Sequence, residues 1–173
     1  MSDQPKAQHP PPPDLLTVIS RQETVLQHQL DWIRAVDSKT PVVIGVATAM
    51  LAVTGALSPA PTNVTWITGL LMAAGSLPLL VSIAWSAAAT FPQTTGPRGS
   101  MIFFGGIASM TNTEYAKAVA GRSDVQHLED LNAQCHRNAQ IATAKYRAVR
   151  HAMGWLFVST PLWLAACYLL YKG

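Results

Sequence analysis

The feature that most constrains this chain is an uncharged segment of 58 residues. Between Thr40 and Pro97 there is no Asp, Glu, Lys or Arg, and only a proline-containing stretch at residues 58–63 interrupts the apolar sequence. The hydrocarbon core of a bilayer is about 30 Å thick and needs ~20 apolar residues for each helical crossing. The segment therefore predicts two transmembrane helices, 41–58 and 65–91, joined by a tight turn.

A third uncharged segment covers residues 151–171. Trp155 stands near its start, and Tyr168 and Tyr171 stand near its end. Trp and Tyr are favoured at both membrane interfaces, where the apolar ring faces the hydrocarbon and the polar N–H or O–H group faces the headgroups and water. Length and aromatic placement together predict a third transmembrane helix.

The rest of the chain is polar and mostly helical in pattern. Residues 1–13 end in four prolines and are predicted to be a disordered tail. Residues 14–39 are predicted to form an amphipathic cytosolic helix capped by Asp14, whose apolar stripe packs on the protein itself or assembles subunits into a homo-oligomer. Residues 92–150 are predicted to form a helical cytosolic module. The fold predicted is an all-α membrane protein with three transmembrane helices, an amphipathic N-terminal helix and a helical cytosolic insert before the last span.

The sequence also predicts where helices begin and end inside the 92–150 module. Gly105 and Gly106 permit a sharp bend or a close approach of backbone. A short helix is expected to start at a cap on Asn112 or Thr113 and to end at Gly121. Ser123 or Asp124 can cap a longer helix, and because no proline or glycine occurs between residues 123 and 153, this helix is expected to continue into the third span.

The loop charges predict the orientation. Eleven of the twelve Lys and Arg residues lie in residues 1–40 and 92–151, whereas the turn at 58–64 has none. The positive-inside rule places the basic regions in the cytoplasm. The N-terminus is therefore expected inside and the C-terminus outside.

Several function classes are disfavoured by the same residues. The net charge of +3 reflects loop placement, so no nucleic-acid partner is expected. His127, Cys135 and His136 do not have the spacing of a zinc site, and no metal or cofactor is expected. No nucleophile–base pair is evident, so an enzyme is not expected. The predicted spans carry no Asp, Glu, Lys or Arg, which argues against a proton-coupled transporter.

Four segments resemble a known family when taken in order. They are residues 32–39 (WIRAVDSK), 102–108 (IFFGGIA), 114–115 (EY) and 138–147 (NAQIATAKYR). Together they resemble the membrane effectors of bacterial Pycsar antiphage defence, the PycTM family, over about residues 25–171. The proline run before the first helix and Pro41 depart from the family pattern.

The resemblance implies a function. A partner cyclase would make cyclic UMP or cyclic CMP on infection, and the effector would respond by impairing the bacterial inner membrane, which stops growth before phage matures. The alternative is a non-enzymatic membrane scaffold or adaptor that docks a cytosolic partner.

If this chain binds the cyclic nucleotide, cations would hold the phosphate and aromatic rings would stack on the base. The candidates for ligand binding are Arg98, Lys145, Arg147, Phe103 and Phe104, with Arg150 and Tyr115 as further possibilities. Each has a structural alternative, since the cations also satisfy the positive-inside rule and the aromatics also fill a helical core.

Three residues are candidates for coupling the signal to the membrane: Asp37, Lys39 and Asn138. Asp37 stands out because an anion gains nothing from an anionic lipid surface. We expect it either to be a solvated boundary charge or to pair with a cation, for which Lys145 or Arg147 at the start of the third span is the predicted partner.

Overall fold

The computed structural model describes residues 13–58 and 65–172 and is 84% helical. Its helices, within the described residues, are α1 (Leu15–Ala56), α2 (Trp66–Thr90), α3 (Phe104–Ala108), α4 (Asn112–Ala120) and α5 (Asp124–Lys172). No strand occurs in those two ranges. Helices α1, α2 and α5 are each long and apolar enough to cross a membrane. The predicted all-α fold with three transmembrane helices is confirmed.

Two predictions fall largely outside the described residues. These are the disordered tail, of which only Pro13 is described, and the turn after Ser58.

Helix α1 joins the two segments that the sequence presents separately. It runs through Pro41 without interruption, although proline has no N–H to donate to the carbonyl of Asp37 one turn earlier. Hydroxyl groups near the proline bond back to the helix, since Thr40 Oγ1 donates to the carbonyl of Val36 at 3.1 Å and Ser38 Oγ to that of Ala35 at 3.0 Å. The two segments that the sequence presents separately thus form one helix with a proline inside it.

The helix ends follow capping chemistry. Asp14 Oδ1 accepts from the N–H of Thr17 at 2.7 Å, and Ser123 Oγ accepts from that of Gln126 at 3.3 Å, so both predicted caps are confirmed. The cap predicted for α4 was wrong by one residue. Thr111, not Asn112 or Thr113, forms a capping box with Glu114, because only that spacing lets each side chain reach the other's backbone N–H.

The structure divides into two compact units. The polar unit consists of the described residues up to His28 and of Thr95–Arg137, and the span unit of the described parts of Gln29–Thr94 and Asn138–Gly173. Helices α1 and α5 each contribute to both units.

In the polar unit, α1 packs against the first turns of α5. Ile19, Leu131 and Cys135 are buried there. The Cys135 thiol donates to the carbonyl of Gln22 at 3.7 Å, and burial raises the pKa of that thiol. Cys135 is accordingly a packing residue, not a reactive one.

In the span unit, three helices are joined by hydrogen bonds onto backbone carbonyls. Ser82 Oγ donates to Ala152 O at 2.7 Å, and Ser159 Oγ donates to Gly75 O at 2.7 Å. Both bonds link α2 to α5, and both serines are fully buried.

Trp163 completes this arrangement by linking α5 to α1. Its indole N–H lies 2.9 Å from the carbonyl oxygen of Met50 and 3.0 Å from Thr54 Oγ1. Gly75 allows close approach on the other side, because a Cβ added there would lie 3.3 Å from the Cα of Trp163. Small residues and hydroxyl groups thus set the packing of the predicted spans.

Candidate functional site

Asp130 organises the polar unit. Its Oδ2 accepts from the backbone N–H of Met101 at 2.8 Å and from the guanidinium of Arg122 at 2.7 Å. The side chains of Arg122 and Asp130 are only 15% and 7% exposed. Arg122 also donates to the carbonyl of Gln126 at 2.9 Å. This mostly buried ion pair fixes the start of α5 to the segment that precedes α3.

The ionisation of Asp130 reflects two opposing effects. Burial raises the pKa of its carboxyl group, but hydrogen bonds from Ser100, Arg122 and Met101, together with the charge of Arg122, outweigh burial and hold the pKa below its ordinary value. Asp130 is therefore an anion near neutral pH.

Ser100 and Gly106 fold the next segment tightly. The buried Ser100 Oγ accepts from the N–H groups of Ile102 at 3.2 Å and Phe103 at 3.0 Å. A Cβ on Gly106 would collide with the backbone oxygen of Ser100. The close approach that the glycine pair predicts is found at this position.

Two open clefts of the polar unit share Ile102 and His127 as lining residues. One, of about 290 Å³, is also lined by Tyr115, Arg122 and Asp124. The other, of about 470 Å³, is bordered on α1 by Ser20, Glu23 and Gln27. His127 Nε2 lies 3.8 Å from a carboxylate oxygen of Glu23.

Of the predicted aromatic residues, Tyr115 lines the smaller cleft, whereas Phe103 and Phe104 lie outside the linings of both clefts and differ from each other in accessibility. The two rings of Phe103 and Phe104 are 4.5 Å apart between centroids and tilted by 51°. Phe103 is half-buried, and its ring occupies the space that a side chain at Gly96 or Gly105 would need. Phe104 is 63% exposed, so of the two rings it offers more surface to a ligand.

Arg98 is exposed and forms no ion pair with any residue that the structure describes. It stands in a turn with Gly99, which adopts a left-handed φ of 69°. A residue with a Cβ would be strained at that φ, and glycine removes the strain.

The remaining predicted residues belong to the span unit. Lys145, one of the two cations that the sequence offers as a partner of Asp37, forms an ion pair with it, and the side chains of Lys145 and Asp37 are 12% and 45% exposed. Asn138 is buried, whereas Lys39 and Arg147 are exposed. The structure thus joins Asp37 to Lys145, and the five ligand-binding candidates are divided between the two units.

The sequence alone did not single out Ser100, Arg122 and Asp130. A signal was present, because Asp130, Gln134 and Asn138 follow one another at four-residue steps on the buried stripe of α5. An acidic residue on such a stripe needs a buried partner.

Within residues 13–58 and 65–172 no three His, Cys, Asp or Glu side chains cluster as metal ligands would. No curated protein and no solved structure is significantly similar to this chain. The family model described as PycTM, the Pycsar effector protein domain, matches residues 21–172. This match covers α2 to α5 completely and nearly all of α1, and the protein therefore belongs to the PycTM family of Pycsar effectors.

Proposed function

We propose that this protein responds to a cyclic pyrimidine nucleotide, cyclic UMP or cyclic CMP, made by a partner cyclase, and then impairs the bacterial inner membrane. Growth would stop before phage matures, as in abortive infection. The observation that carries the proposal is the family match, which extends through both the polar unit and the span unit. No catalysis is required of the chain in this role.

We propose that the polar unit receives the nucleotide. Arg98 forms no ion pair with a residue that the structure describes, and the ring of Phe104 is accessible. A guanidinium makes charge-assisted hydrogen bonds to phosphate, and an exposed ring can stack on a pyrimidine. Phe103 then supports Phe104, since its own ring is packed against glycines.

Lys145 fits a coupling role better than a direct phosphate contact. Its ammonium group is already paired with Asp37, and its side chain is largely buried. A phosphate could reach it only by displacing that carboxylate. The proposed coupling element is therefore the Asp37–Lys145 pair, which joins α1 to α5.

Asp37→Ala tests the coupling element. Removal of the carboxylate leaves the Lys145 ammonium mostly buried without its partner, so we expect membrane insertion to persist but nucleotide-triggered depolarisation to fall sharply. Asp37→Glu keeps the negative charge, so its nucleotide-triggered depolarisation is expected to fall less. A fully active Asp37→Ala protein would show that the pair has no part in signalling.

The proposed orientation follows the basic residues. We propose that the N-terminus and the polar unit are cytoplasmic and that the C-terminus is outside. A reporter fused after Lys172 should be active only outside, and one inserted at Arg122 should be active only inside. Activity of both on the same side would refute the three-span topology.

The experiment that tests the proposed function uses the full chain in vesicles that hold a potential across the membrane. Adding cyclic UMP or cyclic CMP to the side bearing the polar unit should collapse the potential, whereas cyclic AMP should not. Arg98→Gln and Phe104→Ala should raise the nucleotide concentration required, and Arg21→Gln, at an exposed position on α1, serves as the matched control. No depolarisation with either pyrimidine nucleotide would overturn the proposal.

A second candidate is supported by exposed apolar side chains of the polar unit. Leu16, Val119 and Val125 are all more than one-third exposed. Such residues suit a homo-oligomer, which we also propose, or the docking of another protein by a scaffold. Nucleotide-independent recruitment of a cytosolic protein, without depolarisation, would favour the scaffold.

A further inference from the structure

A groove runs along one side of α5 in the span unit. It has a volume of about 870 Å³, and its lining residues all belong to that helix. Arg147 and Arg150 stand at its polar end, Gly154 in its middle and Val158 at its apolar end. From Arg150 to Val158 the groove extends about 12 Å along the helix axis, at the usual rise per residue.

The polar end of the groove carries positive charge that is not neutralised. Arg147 and Arg150 are exposed, and neither forms an ion pair with a described residue. No lining residue is acidic. Lys145 precedes Gly154 by about two and a half helical turns, so the Asp37–Lys145 pair occupies the opposite side of α5. The two arginines therefore retain all their donors for an anion.

The apolar end of the groove offers open space next to exposed apolar side chains. A Cβ added to Gly154 would meet nothing within 4 Å. Trp155 and Val158 are exposed beside it. The neighbouring His151 stacks on Trp85 of α2 at 4.8 Å between ring centroids, with the ring planes 29° apart.

We propose that this groove is a binding site for an anionic phospholipid. The phosphodiester is held by Arg147 and Arg150, and an acyl chain passes over Gly154 to Val158. Charge complementarity selects this occupant, because two guanidinium groups that continue directly into an apolar channel match a lipid whose anionic head is attached to a hydrocarbon chain. The site does not depend on the response to a cyclic nucleotide.

The test uses the full chain in phosphatidylcholine vesicles with a small share of brominated phosphatidylglycerol. Bromine quenches nearby tryptophan fluorescence, and Trp155→Phe protein identifies the contribution of Trp155. We expect brominated phosphatidylglycerol to quench the fluorescence of Trp155 more strongly than brominated phosphatidylcholine does at the same content. Arg147→Gln and Arg150→Gln should each weaken this preference about fivefold, the effect of one cation near an anionic surface.

Gly154→Leu separates a shaped site from general surface charge. It fills the groove without altering any charge, and the open space at Gly154 allows the protein to fold. The proposal predicts that Gly154→Leu also lowers the preference for phosphatidylglycerol. Arg34→Gln, which changes an exposed arginine of α1 that is paired with Asp31, should leave the preference unchanged.

Three outcomes would overturn the proposal. The first is an equal loss of the preference for phosphatidylglycerol in Arg34→Gln and Arg147→Gln, with no effect of Gly154→Leu. That pattern would indicate general attraction of anionic lipid to the basic surface. Another is displacement of phosphatidylglycerol by soluble cyclic UMP or cyclic CMP, which would assign the arginines to a free phosphodiester. The third is disulfide cross-linking between copies through Gly154→Cys on a Cys167→Ala background, which would show a second copy in the groove.

Discussion

The polar unit and the span unit use hydrogen bonds in different ways. In the polar unit a single carboxylate, Asp130, gathers a backbone N–H and a guanidinium at one end of α5. In the span unit, neutral hydroxyl groups of Ser82 and Ser159 each donate to one carbonyl on the facing helix. The first arrangement concentrates its bonds on one charged group, and the second distributes them over several neutral contacts.

This difference follows from the surroundings of each unit. Next to water, an ion pair can be partly buried as long as each charge is paired and hydrogen-bonded. In hydrocarbon, helices gain little from hydrophobic burial, and close packing with neutral hydrogen bonds holds them together. A single substitution should therefore damage the polar unit more than the span unit.

Asp130→Ala should have the largest effect on stability. It removes the acceptor for Met101 N–H and leaves the Arg122 guanidinium without its partner in a mostly buried place, at a cost of about 3 kcal/mol. Hydrogen exchange of residues 100–106 in the full chain should become much faster. Asp130→Asn keeps a hydrogen-bond acceptor and should lose less stability. Unchanged hydrogen exchange of residues 100–106 in Asp130→Ala would show that this carboxylate does not organise the polar unit.

The Asp130 carboxylate also predicts that the stability of the fold depends on pH. Because folding lowers the pKa of Asp130 from its ordinary value of 3.8, its contribution to stability is complete above that value and is lost as pH falls through the lower folded pKa. The stability difference between the native chain and Asp130→Asn should therefore be constant near neutral pH and shrink below about pH 4. A difference that persists in strong acid would contradict an ionised Asp130.

Replacing one glycine in each unit compares the effect of an added methyl group on stability at a crowded and at an open position. Gly106→Ala places a Cβ against the Ser100 backbone oxygen, and such overpacking costs about 2 kcal/mol. Gly154→Ala meets open space and should leave the thermal midpoint in detergent unchanged or slightly raised, since alanine favours a helix. Equal midpoints for the two variants would show that the segment around Ser100 moves aside freely.

Most of the fold could be predicted because membrane crossing depends on sequence composition. Uncharged segments of the required length identify the three spans, and capping chemistry places Asp14 and Ser123 at helix starts. The error at Thr111 is small, because three polar residues in succession could each serve as the cap of α4. Only the pairing with Glu114 separates them.

The candidate site could be predicted less well, because it depends on contacts between distant residues. Asp37 could be singled out, since an acidic residue gains nothing from an anionic lipid surface, but the sequence left open whether it is solvated or pairs with Lys145 or Arg147. The partners of Asp130 could not be predicted. Met101 contributes a backbone N–H, which every residue except proline has, so its side chain gives no sign of the contact. The groove on α5 was also hidden, because Arg147 and Arg150 look like ordinary positive-inside residues until the pairing of Lys145 on the opposite side is known.

The smallest effect is expected at the hydroxyl groups of the span unit. Ser159→Ala removes the bond to the Gly75 carbonyl and Ser82→Ala removes the bond to that of Ala152, and each should cost about 0.6 kcal/mol, the typical value of such a bond between membrane helices. Because each carbonyl keeps its partner within its own helix, neither loss exposes an unsatisfied backbone group, and the double variant should show nearly the sum. Reversible unfolding in mixed micelles would measure these differences, with Thr143→Ala on the open face of α5 as control. A loss at either serine as large as that of Asp130→Ala would mean that the span unit, too, depends on single bonds.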